Sequence, residues 1–192
     1  QGRATYGLEH SDQPVLAADV VRYEGEPVAL VAADHPDTAR RALAAIHVDW
    51  EPTEPLVDPA LAETAEPIHP DGNVIRRIHL RHGDQSAADQ PDLVSVEGTY
   101  EVGMQDQAFL GPESGLAVPD DDGGVDLYVA TQWLHVDRDQ VAACLGLPDE
   151  KVRLTLAGVG GAFGAREDLS LHVHLCLLAL RTGRPVKMSY GR

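Results

Sequence analysis

Apolar residues recur with two different periods along the chain, and each period predicts an element. Lys151 to Ala157 alternates Val152, Leu154 and Leu156 with Arg153 and Thr155, which predicts a strand with one buried face. Asp168 to Leu180 is almost entirely apolar and stops at Thr182-Gly183-Arg184-Pro185, which predicts a buried helix. A glycine-rich loop therefore joins a strand to a helix. Nearer the start, Pro14 to Ala18 reads as extended, and Val20–Tyr23 and Pro27–Ala33 flank Gly25 as the two strands of a hairpin. Asp34 is a candidate helix cap with Pro36 in the first turn, and Ala39, Ala42, Leu43 and Ile46 form one apolar stripe at helical spacing. Ile46 to Trp50 then returns as a strand. Gln1 to Asp12 has no periodicity.

The middle of the chain reads differently. Glu51 to Pro70 holds five prolines and predicts a surface connector. Asn73–Leu80 predicts a strand, Gly83–Pro91 a polar turn, and Leu93–Val102 alternates again, as the opening strand of a second domain. Asp120–Gly124 is a tight acidic turn without the ligand spacing of a calcium loop. Val125–Ala130 predicts a strand, and Val136–Leu145 a helix closed by Gly146 and Pro148. The order strand, helix, strand, glycine loop, helix, strand is an α/β arrangement that needs crossovers.

Composition narrows the classes. A hydrophobic content of 43% over 192 residues suffices for the core of one ordinary domain or two small ones. The net charge of −16 argues against a nucleic-acid partner or an anionic membrane. The longest apolar run, Leu175 to Leu180, is too short to cross a bilayer, and no basic segment precedes an apolar stretch at the start, so the cytoplasm is expected. Cys144 and Cys176 lie in helical patterns without a CxxC, which favours free buried thiols over a disulfide. His172 and Cys176 stand four apart on one helical face near His174. Two ligands make no closed metal site, so buried, hydrogen-bonded histidines are expected.

The candidate chemistry lies in Thr155 to Glu167. Counting from Gly158, the sixth position is Phe163, so the dinucleotide fingerprint fails, and no Gly-Lys-Ser/Thr follows to make a P-loop. Glycines at 158, 160, 161 and 164 let another group approach the backbone. At a helix N-terminus such a loop would aim unpaired N–H groups at an anion or oxo group, although a tight turn needing small residues explains the glycines as well.

The segment Gly160-Gly161-Ala162-Phe163-Gly164-Ala165-Arg166-Glu167 resembles the molybdopterin-contacting loop of the xanthine dehydrogenase and aldehyde oxidase family, whose xanthine members carry a Gly-Gly-x-Phe-Gly-x-Lys/Arg-Glu form. Gln105 to Pro119 resembles the family's other cofactor-facing stretch, Tyr128 to Gln132 its following strand, and Thr182 to Val186 the segment after the helix. The resemblance implies an α+β fold: the C-terminal part of an α/β-hammerhead domain over 1–57, a linker over 58–91, and the first part of a mixed α/β molybdopterin-binding domain over 92–192. It also implies a fragment of the catalytic subunit, inactive alone, beginning within the family's first domain.

The resemblance also carries over residue roles. Gln105 would donate its amide to an oxo ligand of the molybdenum. Phe163 would turn its backbone N–H to the same centre, and Gly160, Gly161, Ala162 and Gly164 would contact the cofactor. Glu167 matches the glutamate that hydrogen-bonds the heterocycle in purine hydroxylases; a place in the first helical turn, complementing the dipole, would also account for it. Ala165 departs from the glycine common in relatives. Gln132, Trp133 and His135, at a strand end, are candidate pocket-lining residues, while Gln107 and Glu113 receive no role. The family's catalytic glutamate lies beyond Arg192, and molybdenum is held by the pterin, so no protein metal ligand is expected. The complete enzyme would hydroxylate a purine with oxygen from water and pass electrons through iron–sulfur clusters to FAD on other domains or subunits, as an oligomer. The alternatives are an aldehyde substrate with the same cofactor, and a scaffold module without one.

Overall fold

The computed structural model describes residues 2–84, 86, 88 and 91–191. The chain divides into two units, Gln1–Val48 with Asp106–Arg192, and Asp49–Gln105.

In the first unit, Ser114–Pro119 (β3), Val125–Val129 (β4), Val152–Leu156 (β5) and Val186–Ser189 (β6) form a sheet in the order β5-β4-β3-β6. The acidic turn after Pro119 makes β3 and β4 an antiparallel pair, and β6 returns antiparallel to β3. β5 runs parallel to β4, opposing Leu154 to Leu127, and that direction requires the crossover helix Leu134–Leu145 (α3) between them. Alternation places Ala117, Val125, Leu127, Val129 and Val152 on one buried face. Val141, Ala142 and Cys144 of α3 join them there, with Val173, Leu175, Cys176 and Ala179 of the helix His172–Thr182 (α4). Both cysteines are free and buried, as the helical pattern predicts.

A short ladder forms where no periodicity predicts one. Thr5–Tyr6 (β1) pairs antiparallel with Gln13–Pro14 (β2), and Tyr6 and Val15 enter the core. The ladder is anchored to the helices: Arg3 N donates to Ala143 O at 2.8 Å, Gly7 N to Gln140 Oε1 at 2.9 Å, and His174 Nε2 bonds Val15 O at 2.6 Å. The helix Pro36–Ala44 (α1) forms as its stripe predicts, but His35 is its cap, accepting from Asp37 N, while Asp34 pairs with Arg184 at 2.6 Å.

Several expected strands do not form. Gly25 makes its turn, with Glu26 N bonded to Tyr23 O at 3.3 Å, yet Val20–Tyr23 and Pro27–Ala33 build no ladder. A lone two-stranded hairpin is marginal in water, and Val20 and Val21 lie exposed with nothing to pack on. Ile46–Trp50 likewise carries no strand. α4 begins at His172 rather than Asp168, so Glu167 lies outside its first turn and dipole complementarity does not account for it.

In the second unit the short helix Pro59–Ala62 (α2) is capped by Asp58, whose carboxylate accepts from Ala60 N at 2.8 Å. Asn73 gathers the chain after it: its amide donates to Ala62 O at 2.9 Å and its carbonyl accepts from Ile68 N at 2.7 Å. Asn73–Leu80 and Leu93–Val102 form no strand among the described residues. The turn expected over Gly83–Pro91 falls partly outside them, at 85, 87, 89 and 90. Among the described residues no helix is long and apolar enough to cross a membrane.

Candidate functional site

Segments leaving the carboxyl ends of neighbouring parallel strands are adjacent, and crevices form there. After β4 come Thr131, Gln132 and Trp133; after β5 comes the glycine loop. Ala157 N donates to Val129 O at 2.9 Å and Gln132 N to Arg166 O at 3.1 Å, so the two segments are tied together. Gln132, Trp133, His135 and Leu156 line a depression of about 400 Å³.

The loop separates its glycines by task. Gly160 and Gly161 have φ of 64° and 101°, and a Cβ on them would lie 2.8 Å from Gly111 N and 2.9 Å from the Phe163 ring. Internal packing accounts for both. Gly158 and Gly164 instead face open space, Gly164 with φ of 87°. Phe163 holds φ of 54° with its side chain largely exposed, a left-handed conformation that costs a non-glycine residue about 1–3 kcal/mol. Ala108 carries the same φ on the neighbouring stretch. Ala162 O accepts from Ala165 N at 3.0 Å, closing the turn. Among the described residues, the amides of 158–164 have no acceptor within the protein. Glu167 follows, exposed.

Arg166 is the buried residue of this loop, 2% exposed. Its Nε donates to Gly161 O at 2.9 Å and a terminal nitrogen to Gly111 O. Nη1 lies 3.1 Å from Glu113 Oε1, an ion pair off the hydrogen-bonding direction, and the guanidinium sits 4.6 Å from the centre of the Phe109 ring. Leu110 N donates to Gly160 O at 3.1 Å. The stretch 109–113 and the glycine loop are thereby one unit of structure. Gln105 is exposed, its Nε2 donating to Gly103 O at 3.3 Å, and belongs to the unit Asp49–Gln105.

Behind the site lies a buried polar pair. Thr131 Oγ1 accepts from Trp133 N, just before α3, at 3.1 Å and donates to Asp137. His172 Nδ1 accepts from Ser170 N at 3.2 Å, leaving Nε2 4.0 Å from Asp137 Oδ2. Burial raises the Asp137 carboxyl to about 6, and burial, then His174 and Arg166, lowers His172 to about 4. His174 is buried and bonded to Val15 O, as expected of a structural histidine. No group of three or more metal-ligating side chains occurs among the described residues.

Residues 68–192 match the family model for the molybdopterin cofactor-binding domain. The chain belongs to this family. Residues 1–54 match the a/b hammerhead domain of aldehyde oxidase and xanthine dehydrogenase, so the mixed fold is that of the molybdopterin enzymes, with a hammerhead segment preceding the cofactor-binding domain. The chain is 38% identical to a probable xanthine dehydrogenase subunit of Bacillus subtilis, covering all of this chain and 26% of that relative. It is equally 38% identical to the nicotinate dehydrogenase large molybdopterin subunit of Eubacterium barkeri, over all of this chain and 45% of that protein. The aldehyde oxidoreductase of Desulfovibrio gigas superposes with a TM-score of 0.83 at 26% identity, covering 98% of this chain and 21% of its own. The chain thus spans less than half the length of the curated relatives it matches.

The loop fits a molybdopterin group: it offers acceptor-less amides and open space over Gly158 and Gly164. The residues that sequence reading missed are those that shape the loop from beneath. Arg166 was visible only as part of a motif, and Glu113 without a role, because a buried ion pair between segments 53 positions apart has no periodic signature.

Proposed function

We propose that this chain is the hammerhead and cofactor-facing part of a molybdenum hydroxylase catalytic subunit that acts on a purine such as xanthine. The observation that carries the reading is the glycine loop, whose amides over 158–164 have no acceptor within the protein and which leads directly to the exposed Glu167. When bound, the molybdenum cofactor supplies the two-electron redox chemistry. The chain's own part is placement. The amides around Phe163 donate to the cofactor, Gly160 and Gly161 set the loop's shape by packing on Gly111 and Phe163, Gly164 leaves open space for the cofactor, and Glu167 hydrogen-bonds the heterocycle. Two glutamines are available to donate a neutral amide beside the metal. Gln105 is the one implied by motif; Gln132 is favoured by its backbone bond to Arg166 within the same compact unit. The remainder of the subunit supplies the catalytic base, iron–sulfur and FAD domains or subunits take the electrons, and the complete enzyme is an oligomer. Two free buried thiols support a cytoplasmic setting.

Relatives of equal identity are named for xanthine and for nicotinate, and one solved structure for aldehydes; Glu167 is the residue of this chain proposed to choose among such substrates. In the full-length enzyme, molybdenum is expected at one atom per catalytic subunit; its absence would leave a scaffold module. Glu167→Val is expected to lower kcat/KM for xanthine by about 10- to 100-fold, the value of a hydrogen bond to a charged group, and to change turnover of an aromatic aldehyde by less than about threefold. Unchanged xanthine turnover removes Glu167 from recognition, and a preference for nicotinate over xanthine in the parent enzyme replaces the purine. The isolated 192-residue chain is expected to give no xanthine-dependent dye reduction.

A further inference from the structure

We propose that Arg166, together with Glu113, is a positioning residue that holds the glycine loop in the shape the cofactor meets; the inference rests on the function proposed above. A guanidinium is seldom buried unless its fork of donors is satisfied. Here it is buried almost completely, and its partners come from separate parts of the chain. Nε holds Gly161 O at 2.9 Å inside the loop, while a terminal nitrogen holds Gly111 O and Nη1 faces Glu113 at 3.1 Å across it. The Phe109 ring covers one face of the cation. Glu113 is fixed in turn, because its Oε2 accepts from Ser170 Oγ at 3.0 Å just before α4. The Arg166 carbonyl accepts from Gln132 N, adding the segment after β4.

The Arg166 side chain thus ties the glycine loop to 109–113, its own carbonyl adds the segment after β4, and Glu113 adds the segment before α4. Among the described residues the left-handed non-glycine positions are Ala108 and Phe163, on the two segments the side chain clamps together. Backbone held in that region persists only where its surroundings impose it, and Arg166 is the group placed to do so. The brace acts on carbonyls and leaves the amides of 158–164 without an acceptor in the protein. It shapes the site without touching what binds there.

The test uses the full-length enzyme and reads hydrogen exchange, molybdenum content and kinetics together. Arg166→Met is expected to speed exchange of the amides whose backbone bonds tie the loop to its neighbours, Leu110, Gln132 and Ala165, at least tenfold, leave exchange in the interior of α4 unchanged, and reduce molybdenum per subunit at least fivefold. Arg166→Lys, which restores the cation and a donor, is expected to recover exchange and molybdenum to within about threefold of the parent. Glu113→Gln is expected to loosen the same amides, and serves as the readout if Arg166→Met yields no folded enzyme. Parent-like loop exchange and molybdenum content in both Arg166→Met and Glu113→Gln would overturn the brace, as would exchange rising equally throughout α4, which marks a general packing role. A parent enzyme without molybdenum would instead defeat the proposed function, while the exchange measurement still tests the brace.

Discussion

Gly160 and Gly161 serve the loop's own packing, whereas Gly158 and Gly164 face open space. A methyl on Gly158 meets nothing within 4 Å and its φ is not in the left-handed region, so Gly158→Ala is expected to leave stability unchanged or raise it by up to about 1 kcal/mol through the unfolded chain. Gly164 has the same open space but φ of 87°, and Gly164→Ala is expected to cost about 1–2 kcal/mol of backbone strain and to place a methyl on the outward face. Thermal melts and molybdenum analysis of the two full-length variants check this. Gly164→Ala should lose molybdenum and Gly158→Ala should keep it; equal molybdenum in both removes Gly164 from the cofactor face. The glycine cluster between a strand and a helix was visible in the sequence, where a tight turn explained it as well as a binding loop did. The glycines' division of labour was not, since it depends on Gly111 and Phe163 lying against two of them. Arg166 was still less legible: nothing in its local sequence distinguishes a buried guanidinium from a solvated one.

At the scale of elements, the alternating and helical patterns located β4, β5, α3 and α4 to within a few residues, because each buries a continuous face on the others. The start of α4 was misread since the apolar run Leu169 and Leu171 enters the core before the helix begins. The N-terminal ends of α3 and α4 meet at Asp137 and His172, and this contact has a pH signature. His172 falls from 6.5 to about 4 on folding, so between those values the unfolded chain binds the extra proton and acidification destabilises the fold. Asp137 rises from 3.8 to about 6, so over nearly the same range the folded protein binds the extra proton and acidification stabilises it. The two slopes oppose, each at most about 1.4 kcal/mol per pH unit, and their sum is close to flat from pH 4 to 6. Asp137→Asn is expected to expose the histidine slope, with stability falling as pH drops from 6.5 towards 4. His172→Gln is expected to expose the carboxyl slope, with stability falling as pH rises through about 6. Urea melts across that range check both signs, and parallel profiles for the two variants would mean that neither group titrates as its burial requires.

Across the whole molecule, the fold could be read where contacts are made inside the unit that contains the sheet and could not be read in Asp49–Gln105. Leu93–Val102 alternates as well as β5 does, yet Val94 and Val96 are each 90% exposed and no strand forms. Alternation states which face a strand would bury; pairing needs a neighbouring strand, and none of the described residues supplies one. The same logic applies to Asn73–Leu80, where Ile75 and Leu80 are exposed. In the 192-residue chain, amides of 93–102 are therefore expected to exchange at close to the unfolded rate, while those of Val125–Val129, hydrogen-bonded on both sides by β3 and β5, are slowed at least about a thousandfold, because only the latter require opening of the core to exchange. Replacing Val94 and Val96 together by lysine is expected to change the stability of this chain by less than about 0.5 kcal/mol, whereas Leu127→Ala, with no exposed surface, should cost about 2–5 kcal/mol. Denaturant melts of the three chains check the contrast. A large loss from the lysine pair would mean that the alternating stretch is buried in solution and that its pattern had named a true strand.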